Sequence, residues 1–373
     1  MTQKLRVLVL FGGRSAEHEI SLLSARFVVE ALDPQRFEPV LVGIDKQGRW
    51  QLESRESLLA AGEGARAIAL SSGLPQVSLP PRPASGGALA LAVEARAGLG
   101  VDVVFPVLHG PMGEDGTVQG LLELTGLPYV GAGVLGSAVG MDKDVMKRLL
   151  EQAGLPLLPY VTLRQARYAR ARDACLEQVR QLAFPVFVKP ANLGSSVGVS
   201  RVVSPDQLGA AVDHAFEFDG KVVIEQGLDH PREIECAVLG GGAGERVVSV
   251  PGEIVVDHPD GFYSYAAKYL DDAGATTRIP AELDAAEMAE AQQLAGRTFD
   301  ALECEGMARV DLFLDRERKL WVNEINTIPG FTRISMYPKL MQASGVPPRE
   351  LVSRLIDDAL TRGKYKRARK TST

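Results

Sequence analysis

Three features of the chain predict an α/β fold that opens on a parallel sheet and becomes α+β towards its C-terminal end. RVLVLF (6–11) is a buried-strand run ending in Gly12-Gly13. A helical stretch follows from about Ser21 to Leu32, and PVLVGID (39–45) completes a βαβ opening. A glycine-rich loop joins strand patterns at 184–189 and 197–203, and two alternating strands around a polar turn occupy 307–327.

Taken in order, residues 46–100 hold Gly, Ser and Pro clusters and then an apolar segment, and are expected to form loops and an insertion. DVVFPVLHG (102–110) is the third strand, and TVQGLLELTG (117–126) is a helix closed by glycine. The glycine turns of this first unit therefore sit at strand C-termini, where open sheets bind ligands. A second unit has a helix around 137–153, the two strands flanking the glycine loop, a helix at 206–217 and the strand KVVIEQ (221–226). A third begins near EIECAVLG (233–240) and continues through a polar, aromatic segment at 257–275, a helix at 282–302 and the final strands. The expected domains are 1–130, 131–226 and 227–373, with no repeat of solenoid period.

Composition narrows the function. Glycine makes up 38 of 373 residues, above the usual share of about 7%, but no Gly-X-Y period accompanies it and 46% of the chain is hydrophobic, so the protein is neither collagenous nor disordered. The net charge is −6, and the last twelve residues carry six basic and no acidic side chains, so the body is more acidic than the total shows. Nucleic acid is not an expected partner. The basic tail reads as a disordered, solubilising end. Cys175, Cys236 and Cys304 form no C-x-x-C pair and suit free thiols in the cytoplasm, and no run is long enough to span a membrane.

The strongest pattern is MARVDLFLDRERKLWVNEINTIPG (307–330). Pairing residue 315 with 320 in an antiparallel hairpin sets Asp311 opposite Glu324 and Arg309 opposite Asn326, all on one face. Two carboxylates and an amide oxygen there are hard ligands suited to Mg²⁺. Val310, Leu312, Trp321 and Ile325 are then expected in the core, a face that Asn323 joins without explanation. The following TIPG turn can bring the Gly330 N–H up to a reacting group. In KPANLGSSVGV (189–199), Lys189 supplies charge while Gly194, Ser195, Ser196 and Gly198 supply close backbone donors and hydroxyls for phosphate; no Walker A sequence occurs. Lys143 is a second candidate phosphate cation. The turns FGGRSAEHEISL (11–22) and HGPMGEDGTVQG (109–120), with Glu17 and His109, suit a small zwitterion. The segment 258–272, with three tyrosines, suits a cover for a closed site. GAGVLG (131–136) matches a dinucleotide fingerprint literally, but it begins far from the first strand and no second strand ending in an acid follows it.

In this order the motifs resemble the D-alanine–D-alanine ligase family of the ATP-grasp superfamily, across nearly the whole chain apart from 46–100 and the tail. The resemblance implies a three-domain ATP-grasp enzyme that forms D-alanyl-D-alanine for peptidoglycan through an acyl phosphate. It implies ATP and two Mg²⁺ ions, with Mn²⁺ able to substitute, and a homodimer. By that resemblance Lys143, Lys189 and Lys268 contact phosphates, Ser195 and Ser196 lie in the loop folded over them, and Glu225 and Glu233 flank adenine and ribose. Asp311, Glu324 and Asn326 ligate magnesium. Glu17 holds the first D-alanine and joins Ser195 and Tyr269 in a hydrogen-bonded trio. Arg309 and the Gly330 N–H stabilise the oxyanion, and Ser335 and Met336 receive the second D-alanine. Alternatives are a D-alanine–D-lactate ligase, against which Tyr269 argues, an NAD-dependent dehydrogenase using GAGVLG, and a non-catalytic ATP-binding module.

Overall fold

In a computed structural model the described residues are 3–60, 68–71, 73, 75–78, 89–93, 96–241, 245–256 and 275–368. The first sheet runs in the order Trp50–Glu53, Phe37–Ile44, Leu5–Gly12, Val103–Pro106. Leu5–Gly12 pairs in parallel with both neighbours and is covered on both faces, which is why Val7 to Phe11 is apolar throughout rather than alternating. Gly12 leaves the strand with φ 90°, and a Cβ there would stand 2.2 Å from the Ile44 carbonyl oxygen, so this exit admits only glycine. The first helix, His18–Ala31, begins before the expected Ser21 and brings Glu17 to its cap position.

The 46–100 region has more structure than expected. It contains the Trp50–Glu53 strand, an Arg55–Ala60 helix and a small antiparallel sheet of Val77–Ser78, Leu89–Val93 and Arg96–Val101. These strands are short and rich in Ala and Gly, residues of weak β preference, so the sequence pattern hid them.

A second sheet, Ser200–Val202, Val186–Pro190, Lys221–Gln226, Tyr160–Arg164, is antiparallel throughout. The helix expected at 137–153 is two helices, Val134–Met141 and Lys143–Gln152. Asp142 separates them: it leaves helical geometry at ψ 99°, and its Oδ1 accepts the Val145 N–H at 3.0 Å as an N-cap. Lys221 Nζ donates to both oxygens of Asp142, at 2.6 and 2.5 Å, and to Asp144 at 3.1 Å. The helix carrying Lys143 is thereby fastened to the strand carrying Glu225.

The third sheet follows the order Ala275–Arg278, Gly252–Val256, Arg232–Gly240, Gly306–Leu314, Leu320–Asn326, with Val247–Val248 also on Arg232–Gly240. Its last pair keeps the expected register at Arg309–Asn326, Val310–Ile325 and Asp311–Glu324, then shifts to Leu312–Val322 and Phe313–Trp321. Asn323 is the extra residue of this bulge. Leu320 and Val322 turn into the core, while Trp321 lies opposite half-buried Phe313 and donates from Nε1 to Asp315 at 2.8 Å. Trp321 is therefore not the core residue that regular pairing required, and Asn323 is no longer an exception.

GAGVLG serves packing, in keeping with its poor context for a dinucleotide: a Cβ at Gly136 would meet the Glu303 carbonyl oxygen at 2.6 Å, so glycine lets Val134–Met141 lie against that turn. One further expectation is corrected: the basic tail is helical through Ala368, the end of the Pro348–Ala368 helix. Arg362, only 5% exposed, donates to Asp358 at 2.7 Å, Glu305 at 3.1 Å and the carbonyls of Tyr129 and Gly131 at 3.2 and 3.1 Å. The same helix buries Leu351, Leu355 and Ile356 in an apolar cluster with Val7 and Phe105 of the first sheet. Arg362→Ala leaves these acceptors without their donor and is expected to destabilise the chain by about 3 kcal/mol, read from chemical denaturation.

Candidate active site

A cavity of about 620 Å³ separates the second and third sheets, a size that suits a nucleotide-scale ligand. Lys143, Lys189, Ser195, Ser196, Glu225, Glu233, Asp311 and Glu324 all line it. The 181 positions between Lys143 and Glu324 are thus closed where the start of the Lys143–Gln152 helix meets the third sheet across this cavity.

The cations on its wall are held by acids. Lys189 Nζ lies 3.0 Å from Glu225 Oε2 and 3.5 Å from Asn323 Oδ1. Lys143 Nζ donates to the Leu193 carbonyl at 2.8 Å and lies 3.6 Å from Glu324 Oε2. Behind them Lys147, 1% exposed and missed by the sequence reading, sits 3.3 Å from Glu225 Oε1, so one carboxylate holds two ammonium groups. Burial opposes charge on Lys147 and Lys189. It wins at Lys147, whose pKa falls below the ordinary lysine value although Glu225 resists. At Lys189 the charges of Glu225 and Glu324 overcome burial and raise the pKa. Glu225 is pushed up by burial, but Lys147 and Lys189 pull it below the ordinary carboxylate value.

The hairpin face carries Arg309, Asp311, Glu324 and Asn326 together. Arg309 forks onto Asp311 with two 2.7 Å hydrogen bonds and lies 3.1 Å from Glu235, a buried acid that the sequence reading did not single out. Burial works against the guanidinium, yet Asp311 and Glu235 hold its pKa well above the ordinary value. Asn326 Oδ1 is buried without a hydrogen-bond partner among the described residues. An orphaned amide oxygen beside two carboxylates fits a hard cation. No group of three or more His, Cys, Asp or Glu among the described residues is arranged for a metal.

Glu17 reaches the phosphate loop from the other side. It accepts a short hydrogen bond from the Ser195 hydroxyl. A Cβ on Gly110 or Gly194 would approach its Oε2 to 3.0 or 3.6 Å, so both glycine turns close around this carboxylate. Ser195 and Ser196 hold left-handed φ values of 50° and 57°, a backbone state that non-glycine residues adopt mainly where the surroundings enforce it. A smaller cavity of about 260 Å³ lies between the first-unit turns, bounded by Gly12, Gly13, His109 and Gly113. Gly330 stands against Ser335, whose Oγ would be 2.9 Å from an added Cβ, and Ser335 Oγ also accepts the Thr332 N–H at 3.0 Å. The Met336 side chain is packed in the apolar core beside Tyr337 and Leu340, so only its main chain is left for a ligand. Lys268 and Tyr269 lie outside the described residues.

Glu114 is the other acid missed by the sequence reading, although it stands within GEDG. It is buried, accepts the Gly110 N–H at 2.6 Å, and burial together with the Glu17 charge raises its pKa to about 8. The signal was present as an acid between turn glycines, but Asp115 beside it is a plain turn former, bonding Met112 and Thr117 N–H groups at 2.8 and 2.9 Å.

Two antiparallel sheets gripping a lysine- and acid-lined cleft define the ATP-grasp class. The family described as D-ala D-ala ligase N-terminus matches residues 6–132, and D-ala D-ala ligase C-terminus matches 149–357. A D-alanine–D-alanine ligase A of Bradyrhizobium diazoefficiens is 52% identical over 371 residues, covering 99% of this chain and 98% of the relative. One from Escherichia coli is 47% identical over 373 residues, with 99% and 100% covered. The solved D-alanine-D-alanine ligase from Coxiella burnetii superposes with TM-score 0.81 at 38% identity, covering 98% of this chain and 97% of that one. VanG D-Ala:D-Ser ligase from Enterococcus faecalis gives 0.81 at 33%, with 96% and 100% covered. The chain belongs to the D-alanine–D-alanine ligase family. The dehydrogenase reading of GAGVLG has no support in these likenesses.

Glu114 also makes a pH prediction. The folded chain keeps its proton up to about pH 8 and the unfolded chain releases it near 4.5, so folded protein binds more protons in that window and its stability falls as pH rises through it. Glu114→Gln, which cannot ionise, should flatten that part of a melting-temperature profile recorded from pH 5 to 8.5.

Proposed function

We propose that the chain joins two D-alanines into D-alanyl-D-alanine at the expense of ATP, supplying a peptidoglycan precursor. The observation that carries this reading is the meeting of Asp311 and Glu324 with Lys143 and Lys189 across one cavity, with Arg309 and Asn326 on the same hairpin face and Glu17 reaching the phosphate loop. We divide the chain at 130 and 226: the first unit binds the first amino acid, and the other two close on ATP.

A carboxylate is a poor electrophile. In this reading the carboxylate of the first D-alanine, whose ammonium is held by Glu17, attacks the γ-phosphorus and ADP leaves, giving an acyl phosphate. Lys143, Lys189 and the Ser195–Ser196 loop hold the phosphates, and Lys268 adds a further cation. The amine of the second D-alanine, once deprotonated and placed by Ser335 and the Met336 main chain with His109 near the first subsite, then attacks the acyl carbon, and the tetrahedral intermediate collapses by breaking the acyl C–O bond and releasing inorganic phosphate. Arg309 and the Gly330 N–H face the developing oxyanion, each contributing roughly 3 kcal/mol to its stabilisation by analogy with other oxyanion holes. Glu225 and Glu233 face the nucleoside end. Asp311, Glu324 and Asn326 would hold Mg²⁺, or Mn²⁺ in its place, which when bound neutralises charge on the transferring phosphoryl group. By the family resemblance Tyr269 would join Glu17 and Ser195. Water is kept from the acyl phosphate, which would otherwise hydrolyse.

The proposal extends to a homodimer in the cytoplasm, where Cys175, Cys236 and Cys304 are free and buried. No helix among the described residues is long and apolar enough to cross a membrane. ATP-dependent phosphate release should appear with D-alanine and not with L-alanine, and D-serine and D-lactate in the same assay test the second subsite. Glu324→Gln should lower release at least about 100-fold by removing a ligand charge. Equal release by parent and variant would contradict the site, and mainly depsipeptide product would contradict the substrate.

A further inference from the structure

Ser24 belongs to none of the sequence motifs, yet it joins three segments of the site. It is fully buried in His18–Ala31. Its hydroxyl lies 2.9 Å from His109 Nε2 and accepts the Phe331 N–H at 3.2 Å. His109, 4% exposed, places Nδ1 3.0 Å from the Ile328 carbonyl oxygen. A carbonyl only accepts, so Nδ1 carries the proton; Nε2 is then the acceptor, and the Ser24 hydroxyl donates to it. Burial keeps the ring in this neutral form by holding its pKa below the ordinary histidine value, against the Glu17 charge.

Both imidazole nitrogens are committed to protein groups, so His109 acts in the structure as a tie. The Ser24–His109 pair grips the chain at Ile328 on one side of Pro329-Gly330 and at Phe331 on the other. We propose that Ser24 and His109 are positioning residues that fix the 327–331 turn from both sides and so aim the Gly330 N–H at the reacting carbonyl. The proposal rests on the ligase reading, in which that N–H faces the oxyanion. The turn has a separate apolar anchor: the Phe331 ring packs at 5.9 Å from Phe105 and 5.4 Å from Tyr337, centroid to centroid. Losing the hydroxyl should therefore loosen the aim of the turn without unseating it.

The test measures phosphate and dipeptide separately, at saturating D-alanine with ATP varied up to saturation, for the full-length parent, Ser24→Ala, His109→Gln and the double variant. Misplacing a transition-state donor by a fraction of an ångström costs roughly tenfold or more in rate. Ser24→Ala is expected to lower kcat for dipeptide by about that factor while KM for ATP stays within about twofold. Phosphate released per dipeptide should rise above one as unligated acyl phosphate hydrolyses. The double variant should lose no more than the worse single one, because the two residues act as a unit. His109→Gln carries the same expectation if Ser24→Ala does not fold. A parent that ligates normally beside variants with unchanged kcat and one phosphate per dipeptide would overturn this proposal alone. A parent that makes no dipeptide would overturn the ligase reading and this proposal with it.

Discussion

The bulge at Asn323 decides which side chains the last strand gives to the cleft. Strict alternation places Leu320, Val322, Glu324 and Asn326 on one face, so a regular strand buries all four or exposes all four. The core needs Leu320 and Val322, which are almost wholly buried. Glu324 lines the cleft, and Asn326 shares its face with the Arg309–Asp311 side of the hairpin. One extra residue between the pairs Asp311–Glu324 and Leu312–Val322 changes the parity and satisfies both. The partner strand needs no such device: Val310 and Leu312 are buried while Arg309, Asp311 and Phe313 lie on the other side in unbroken alternation.

Charge placement follows from that parity. Glu324 facing the cleft supports the elevated pKa of Lys189 and approaches Lys143, while Asp311 holds Arg309 in a forked pair. Glu225 is balanced by Lys189 and Lys147 and Glu324 by Lys143, all from other elements, while Asp311 is balanced by Arg309 of its own strand, as burial of an unpaired charge would demand. Lys147 and Lys221 extend the arrangement outwards: the first braces Glu225, and the second ties the helix start at Asp142 to the same strand.

Much of this was legible in the sequence, for physical reasons that can be named. Local pairing arithmetic around a polar turn placed Arg309 opposite Asn326 and Asp311 opposite Glu324, and glycine turns at strand ends marked the loops. It misplaced Trp321 because alternation contains no term for an inserted residue, and the unexplained Asn323 was the trace that insertion left. It read one helix at 137–153 because periodicity runs through Asp142, whose capping depends on local geometry. Lys147, Glu235 and Ser24 escaped because each acts through partners distant in sequence: Lys147 through Glu225, Glu235 through Arg309, Ser24 through His109 and Phe331. The tail looked disordered by composition, while Arg362 finds its acceptors in another part of the chain at Glu305, Tyr129 and Gly131.

The central claim is that the bulged hairpin presents its Asp311–Glu324–Asn326 face to a nucleotide-bound divalent cation. Mn²⁺ is a direct probe, because its electron paramagnetic resonance signal reports binding without turnover. Titrating Mn²⁺ into the protein with ADP should show tight sites that Asn326→Leu weakens by about 10-fold or more while ADP binding by calorimetry in the absence of metal is retained. Mn²⁺ binding unchanged by Asn326→Leu would contradict the account.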